Sequence, residues 1–523
     1  MIEESRQAHN AVETTKIPLR YVAVVMATAV MSLTFGWLTL TTYPGMHADE
    51  AAYASLAQNW ISTGNKWTTL DAGPFPGGRG QGTTVLGAVP TRLAIQLSGL
   101  SFKSIRAASF VAGLLLLGTV AALGNRLWTT LSGILAATLL ATQPIFQIGS
   151  HLTRPEIWLA VFVILSLTLS IHGWKKNQPR WDLIAALLAV IAVDIHQNGI
   201  VFAIGLAASY FPRYGRQLFL QKNALAFAIP ALTGAMWYIY RYRETFFPTS
   251  NEDIDILGAS SSHALPILTT GPGQWALDEF VRYLMYFGNE PFAAFLFGIG
   301  MLYALTLHDE NDRILLVWLI SSVLTMMLLV SHKLETYLIP TMSILAMLTG
   351  RWMSHLIKQA GIGGRQLVAI CFAALIFPLV LKLGTHNMDN QETLHAQLRS
   401  QVPCEHILGP NQYWFAFSNC EYRSWDVVNH YHHVQGSTFK ESIAALQPNY
   451  VLIDDTVTAK LSYEFGRGGN TGSYYALPSE DYQSFIDTQT SLVTTLSVPG
   501  MRTVQIRKVH HPLNLSLNDD LRR

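Results

Sequence analysis

Residues 155–173 read PEIWLAVFVILSLTLSIHG, with Glu156 as the sole carboxylate and no lysine or arginine. A block this long and apolar meets the need for about 20 helical residues to cross about 30 Å of hydrocarbon. Residues 104–126, SIRAASFVAGLLLLGTVAALGNR, form a second such block. Comparable runs fall near 20–43, 129–149, 181–197, 198–212, 222–241, 291–308, 313–331, 334–352 and 365–383. The expectation is an all-α polytopic membrane domain of about 11 transmembrane helices. Composition agrees: half of the 523 residues are apolar and 13% are charged, against about a quarter charged in soluble domains. A net charge of +1 offers no footprint for nucleic acid. Three cysteines exclude a disulfide-dense scaffold and a Cys-rich zinc site. The first block lacks a small-residue cleavage signature and predicts a retained anchor.

Positive charge sets the expected orientation in the inner (plasma) membrane. Lys16 and Arg20 put residues 1–19 in the cytoplasm. Lys175, Lys176 and Arg180, then Arg213, Arg216 and Lys222, then Arg351, Lys358 and Arg365, fall in alternate short loops on that same side. Two features run against the pattern: the loop with His308, Asp309, Glu310 and Arg313 is neutral to acidic, and Lys103, Arg106, Arg241 and Arg243 fall outside. An odd number of spans places the C-terminal segment outside. The membrane domain is then 20–383, with outer loops 44–103 and 242–290, and residues 384–523 form a small outer-face α/β domain. The first loop holds an amphipathic stretch at Ala51–Trp60 and a Gly-rich turn at 73–82. The second holds an amphipathic stretch at Trp275–Tyr286. In the last segment, 450–455 and 503–508 predict strands and Phe439–Leu446 a helix. Cys404 and Cys420 lie there, as a disulfide or as two buried thiols. Cys371 lies in the last span. No transporter-type internal repeat is visible.

Ionisable groups at membrane depth are costly, so their positions carry function. They gather at the outer helix ends: Asp49 and Glu50; His151, Arg154 and Glu156; Asp194 and His196; His332, Lys333, Glu335 and Tyr337. Each has a plain reading as well. The acids can cap the helix starting near Ala51, Arg154 and Glu156 can be an interfacial pair, and His196 can be structural.

The run His47-Ala-Asp49-Glu50-Ala-Ala-Tyr53-Ala-Ser-Leu-Ala57-Gln-Asn-Trp60-Ile-Ser-Thr-Gly64 resembles the first outer loop of GT-C membrane glycosyltransferases. Within that class it is similar to the branch of lipid A aminoarabinose transferases and protein O-mannosyltransferases. Arg154-Pro155-Glu156 and Ser331-His-Lys333-Leu-Glu-Thr-Tyr337-Leu-Ile-Pro340 agree with it in order and spacing. Where many relatives carry Lys-Pro-Pro, this chain has Gly77-Gly78-Arg79-Gly80-Gln81-Gly82, so Arg79 is a candidate substitute. The acid of the second motif is Glu156 rather than Asp.

The resemblance implies inverting transfer of a sugar from a polyprenyl-phosphate carrier to a hydroxyl of a glycan, lipid or protein acceptor at the outer face. A lipid phosphate leaves without a general acid but needs cationic stabilisation, the expected role of Arg154, Lys333 and Arg79. The acceptor hydroxyl needs a base. Asp49 is the candidate base, and Glu50 is expected to orient the acceptor. No cofactor is required, although Asp49 and Glu50 could hold a divalent cation. Tyr53, Glu156, His196 and Tyr337 complete the candidate substrate contacts. The rival classes are a transporter or lipid-linked-sugar flippase, and a non-catalytic outer-face sensor. Convergence of Asp49, Arg154 and Lys333 in one outer site discriminates against both.

Overall fold

The computed structural model describes residues 19–68, 70, 85–241, 272–307, 309–330, 335–385, 390–428, 431, 437–461, 479–499 and 501–510. The longer helices of the N-terminal part are α1 (Leu19–Leu38), α2 (Ala48–Thr63), α3 (Val85–Ser98), α4 (Phe102–Leu127), α5 (Thr130–Ala141) and α6 (Pro144–His151). They continue as α7 (Glu156–Lys176), α8 (Pro179–Ile195), α9 (Gly199–Ser209), α10 (Lys222–Arg241), α11 (Pro272–Gly288) and α12 (Pro291–Leu307). Then come α13 (Glu310–Leu329), α14 (Ile339–Gln359) and α15 (Gly361–Thr385).

The expected eleven spans are not all upheld. Helices stand at each expected position, but among the described residues only α4, α7, α13 and α15 are individually long and apolar enough to cross a membrane. The number rises to six if the bent pairs α5–α6 and α11–α12 each count as one. Length accounts for α8, α9 and α12, which have 17, 11 and 17 residues, and packing for α14. α14 is buried along most of its length, and a helix sheathed by its neighbours need not present an apolar surface all round. The expected straight span 129–149 is broken by 72° between α5 and α6. Pro144 cannot donate to the preceding turn, and the Thr142 hydroxyl and Gln143 amide both donate to the Leu139 carbonyl, at 2.8 and 2.9 Å.

α4 and α5 cross closely. A Cβ on Gly124 would lie 2.7 Å from the Gly133 Cα, so small residues set this approach. Gly124→Leu is expected to cost about 1–3 kcal/mol, read as a lower unfolding temperature in detergent. An unchanged temperature would show that the crossing adapts freely.

At the end expected to face the cytoplasm, the loops interlock. Lys175 donates to the Arg126 carbonyl at 2.7 Å, and the Asn311 amide donates to the Leu127 carbonyl at 3.0 Å. Arg213 pairs with Glu310 at 2.6 Å. Arg351 pairs with Asp309 at 2.8 Å and also with buried Asp312. The acidic loop that broke the charge pattern therefore lies among the basic loops, where its carboxylates neutralise them.

The C-terminal segment forms α16 (Asn390–Gln401), β1 (His406–Gly409), β2 (Glu421–Ser424), α17 (Phe439–Leu446), β3 (Tyr450–Ile453), α18 (Asp455–Leu461), α19 (Ser479–Gln489), β4 (Thr490–Leu496) and β5 (Val504–Val509). The sheet order is β2-β1-β3-β5-β4, with β1 parallel to β2 and β3, and β5 antiparallel to β3 and β4. Strand alternation divides its side chains between two cores. Leu408, Val451 and Ile453 pack with Trp425, Phe439 and Phe485. Ile407, Tyr450, Leu452 and Ile506 pack on the opposite face with Leu394, Leu398 and Trp414. Cys404 and Cys420 form a disulfide, with Cα atoms 5.1 Å apart, and Cys371 is a buried free thiol.

His395 of α16 is buried, its Nε2 3.2 Å from the Gln412 carbonyl oxygen. Burial, with a smaller push from the Arg399 charge, lowers its pKa to about 4. The unfolded chain binds this proton near the ordinary pKa of about 6.5, so between the two values the unfolded state holds more protons. Stability contributed by neutral His395 is present above about pH 6.5 and lost as pH falls toward 4. The expected loss is about 3 kcal/mol, read by unfolding at pH 7 and pH 4. His395→Gln should shrink the pH difference. An undiminished difference would assign it to other groups.

The second core is shared with the membrane part: Ala51, Ala54 and Ala57 of α2, with Ile95, Phe102 and Ile105, belong to it. On another side of α2, Tyr53, Leu56 and Trp60 cluster with Ala88 of α3. α2 is thus held between the sheet domain and α3, and every residue from Glu50 to Ala57 is buried. The expected amphipathic stretch at Ala51–Trp60 is a helix inserted between these two parts. Its alanines permit close approach on the side where a membrane-surface helix would carry larger apolar groups.

Candidate functional site

α2 begins with a capping box. The His47 Nδ1 accepts the Asp49 N–H at 3.2 Å, and Glu50 Oε2 accepts the His47 N–H at 3.0 Å. This reciprocal capping fixes the start of the helix and makes Asp49 and Glu50 diverge. Glu50 turns inward. Its Oε1 accepts from Arg106 Nε at 2.8 Å and its Oε2 from Arg106 Nη2 at 2.7 Å, with both side chains 0% exposed. Glu50 Oε1 also accepts the Thr153 N–H at 3.0 Å. Arg106 Nη1 donates to the Leu40 and Pro44 carbonyls, both at 3.0 Å, and the guanidinium lies 4.0 Å from the Phe102 ring centroid. Glu50 thereby ties the loop before α2 to the turn before α7.

Asp49 remains 22% exposed and meets Arg154 Nη1 at 3.1 Å. The other edge of Arg154 donates to Glu156 Oε1, from Nε at 2.9 Å and Nη2 at 2.5 Å. Glu156 Oε2 is buried without a hydrogen-bond partner among the described residues. Burial is the largest effect on His47 and lowers its pKa; the Nδ1 that accepts the Asp49 N–H also lies 3.5 Å from the Asp49 carboxylate.

Tyr337 is buried beside His196, with ring centroids 5.2 Å apart. Burial first, then the Glu156 charge, raises the Tyr337 pKa, leaving a neutral hydroxyl. His196 caps the end of α8, and its Nδ1 accepts the Asn198 N–H at 3.1 Å.

Asp49, Arg154 and Glu156 therefore meet, and Tyr337 and His196 stand together, while the Lys333 arm of the expected convergence falls outside the described residues. Tyr53 is buried on α2. Glu50, expected to orient an acceptor or share a cation, is enclosed by Arg106 and two backbone N–H groups. Among the described residues, no three of His, Cys, Asp and Glu gather as a metal cluster. Lys333 and Arg79 lie outside the described residues. Arg106 was missed as a functional residue. Its signal was present: an arginine one turn into an apolar span requires a buried partner, yet it was counted as an exception to the charge rule.

The family model for dolichyl-phosphate-mannose-protein mannosyltransferases matches residues 84–246. That stretch is less than half of the chain, and it contains Arg106 and the Arg154-Pro155-Glu156 turn but not the 47–64 run. ArnT from Cupriavidus metallidurans bound to undecaprenyl phosphate has a similar structure at 13% identity, covering 94% of this chain and 98% of that one, with a TM-score of 0.59. AglB, an oligosaccharyltransferase from Archaeoglobus fulgidus in complex with an inhibitory peptide and a dolichol-phosphate, is similar at 12% identity, covering 95% of this chain and 75% of that one, with a TM-score of 0.52. No curated protein sequence matches. The fold of this chain is that of the GT-C glycosyltransferases.

Proposed function

We propose that this chain is a GT-C glycosyltransferase that moves a sugar from a polyprenyl-phosphate carrier to an acceptor hydroxyl at the outer membrane face. The observation that carries the reading is the Asp49–Arg154 pair, 3.1 Å apart: a partly exposed carboxylate against a buried guanidinium, brought together from separate loops. The undecaprenyl phosphate bound to ArnT and the dolichol-phosphate bound to AglB supply the donor class by analogy.

In the proposed step the acceptor oxygen attacks the anomeric carbon while the bond from that carbon to the phosphate oxygen breaks. Asp49 takes the hydroxyl proton, and polyprenyl phosphate departs with the bonding pair. Arg154, anchored by Glu156, stabilises the charge that develops on the phosphate, with Lys333 and Arg79 as further cations. In-line displacement with one base inverts the anomeric configuration. Tyr337 offers a neutral hydroxyl to substrate, and Tyr53, His196 and Glu156 Oε2 complete the candidate contacts. Glu50 and Arg106 hold the two loops in register.

The breaks between α5 and α6 (72°) and between α11 and α12 (111°) are the features that favour a transporter. The first is closed on itself, since the Thr142 and Gln143 side chains return hydrogen bonds to α5. The test is release of polyprenyl phosphate by purified protein given a panel of polyprenyl-phosphate sugars and an acceptor-rich membrane extract. Release coupled to sugar transfer supports the reading. Movement of labelled carrier across proteoliposomes without transfer would replace it with transport.

A further inference from the structure

A second cationic cluster stands on the first outer loop, apart from the Asp49 site. The Arg92 guanidinium on α3 lies 4.2 Å from the ring centroid of Trp60 on α2, and Lys66 Nζ lies 5.1 Å from the same centroid. Arg92 Nε is buried without a hydrogen-bond partner among the described residues, and no described carboxylate pairs with either cation. An indole face attracts one cation, but two cations on one ring repel each other. The arrangement is favourable when an anion lies between them.

α3 shows what kind of anion fits. It exposes Leu86 at 37%, Leu93 at 52% and Leu97 at 87%. At 100° per residue these three share one stripe, with Arg92 about 120° around the helix. An apolar stripe flanked by a cation is the pattern of a helix lying in the headgroup layer. Lys103 over exposed Trp37, at 5.5 Å, adds an aromatic–cation pair of the kind found at the membrane–water interface.

We propose that Lys66, Arg92 and Trp60 bind the phosphate of one anionic phospholipid of the outer leaflet, whose acyl chains lie along Leu86, Leu93 and Leu97. Trp60 is about 16 Å along the α2 axis from Asp49, so this lipid's phosphate is not the donor phosphate that departs beside Asp49. It anchors the loop that presents Asp49. Ordinary snorkelling would also place cations here, but it predicts no preference between lipids of equal size.

Native mass spectrometry of the delipidated full chain, titrated with phosphatidylglycerol or with phosphatidylcholine of the same chain length, tests the site. One phosphatidylglycerol should be retained in preference to phosphatidylcholine. Each cation near an anionic headgroup contributes about fivefold in affinity, so Lys66→Gln/Arg92→Gln should weaken retention about 25-fold, and Arg92→Lys should keep most of it. Leu93→Ser/Leu97→Ser should weaken phosphatidylglycerol while leaving any binding of inorganic phosphate unchanged. Equal retention of the two lipids by wild-type protein would overturn the proposal, and that comparison needs no variant to fold. Retention unchanged in the double glutamine variant would also overturn it. Displacement of the lipid by millimolar inorganic phosphate would reassign the site to a free anion.

Discussion

Arg106→Met is expected to be among the most damaging single substitutions in this chain. The guanidinium takes both oxygens of Glu50 and donates to the carbonyls of Leu40 and Pro44, all at 2.7–3.0 Å and with no exposure of either side chain. Methionine fills much of the volume but leaves a buried carboxylate with no cation and two carbonyls with no donor. Breaking one side of a buried pair costs about 3–5 kcal/mol, a large part of the margin of about 5–15 kcal/mol that folded domains possess. The expected readout is a sharply lower unfolding temperature or loss of folded protein in detergent. Removing both charges, as in Glu50→Leu/Arg106→Met, should recover much of that loss, because no charge remains uncompensated. Activity should not return with it. The Glu50 carboxylate also accepts the Thr153 and His47 N–H groups, and without those bonds the loops carrying Asp49 and Arg154 lose their register. A single variant as stable as wild type would refute the role given to this pair.

Asp49→Asn should do the opposite, sparing the fold and removing turnover. Asp49 is partly exposed, its replacement has the same shape, and Arg154 keeps its two hydrogen bonds to Glu156. Loss of a positioned base costs about 10²- to 10⁴-fold in rate. Polyprenyl phosphate release should fall by that factor with the unfolding temperature held. Full activity in the variant would remove Asp49 as the base while leaving the enzyme class standing. A fall in stability matching the fall in rate would reduce Asp49 to a structural ion pair.

Much of the site was legible because its signals are local. An acid pair just after an apolar block, and an arginine and glutamate opening another, are anomalies within their own few residues. The α17 helix was legible to the residue, since Thr438 and Glu441 form a reciprocal cap in the sequence itself. Strands β1, β2 and β4 were not read at all, whereas the four-residue β3 was, because YVLI is a continuous apolar run. The break before Pro144 was passed over because apolar composition continued on both sides of it.

The sequence by itself determined that the N-terminal part is helical and suited to a membrane, that charge collects at one end of its helices, and that the last segment is a different kind of domain. Each of these is a demand that the surroundings make on a local stretch: hydrocarbon requires length and apolarity, and a charged group requires water or a partner. Only the tertiary structure decided which partner. Arg106 found Glu50 across a separation of 56 residues. Arg154 was shared between Asp49 and Glu156, and three alanines of α2 went beneath the sheet domain rather than toward lipid. Those choices depend on which helix ends and faces packing brings within about 3–4 Å, and no run of neighbouring residues contains that distance.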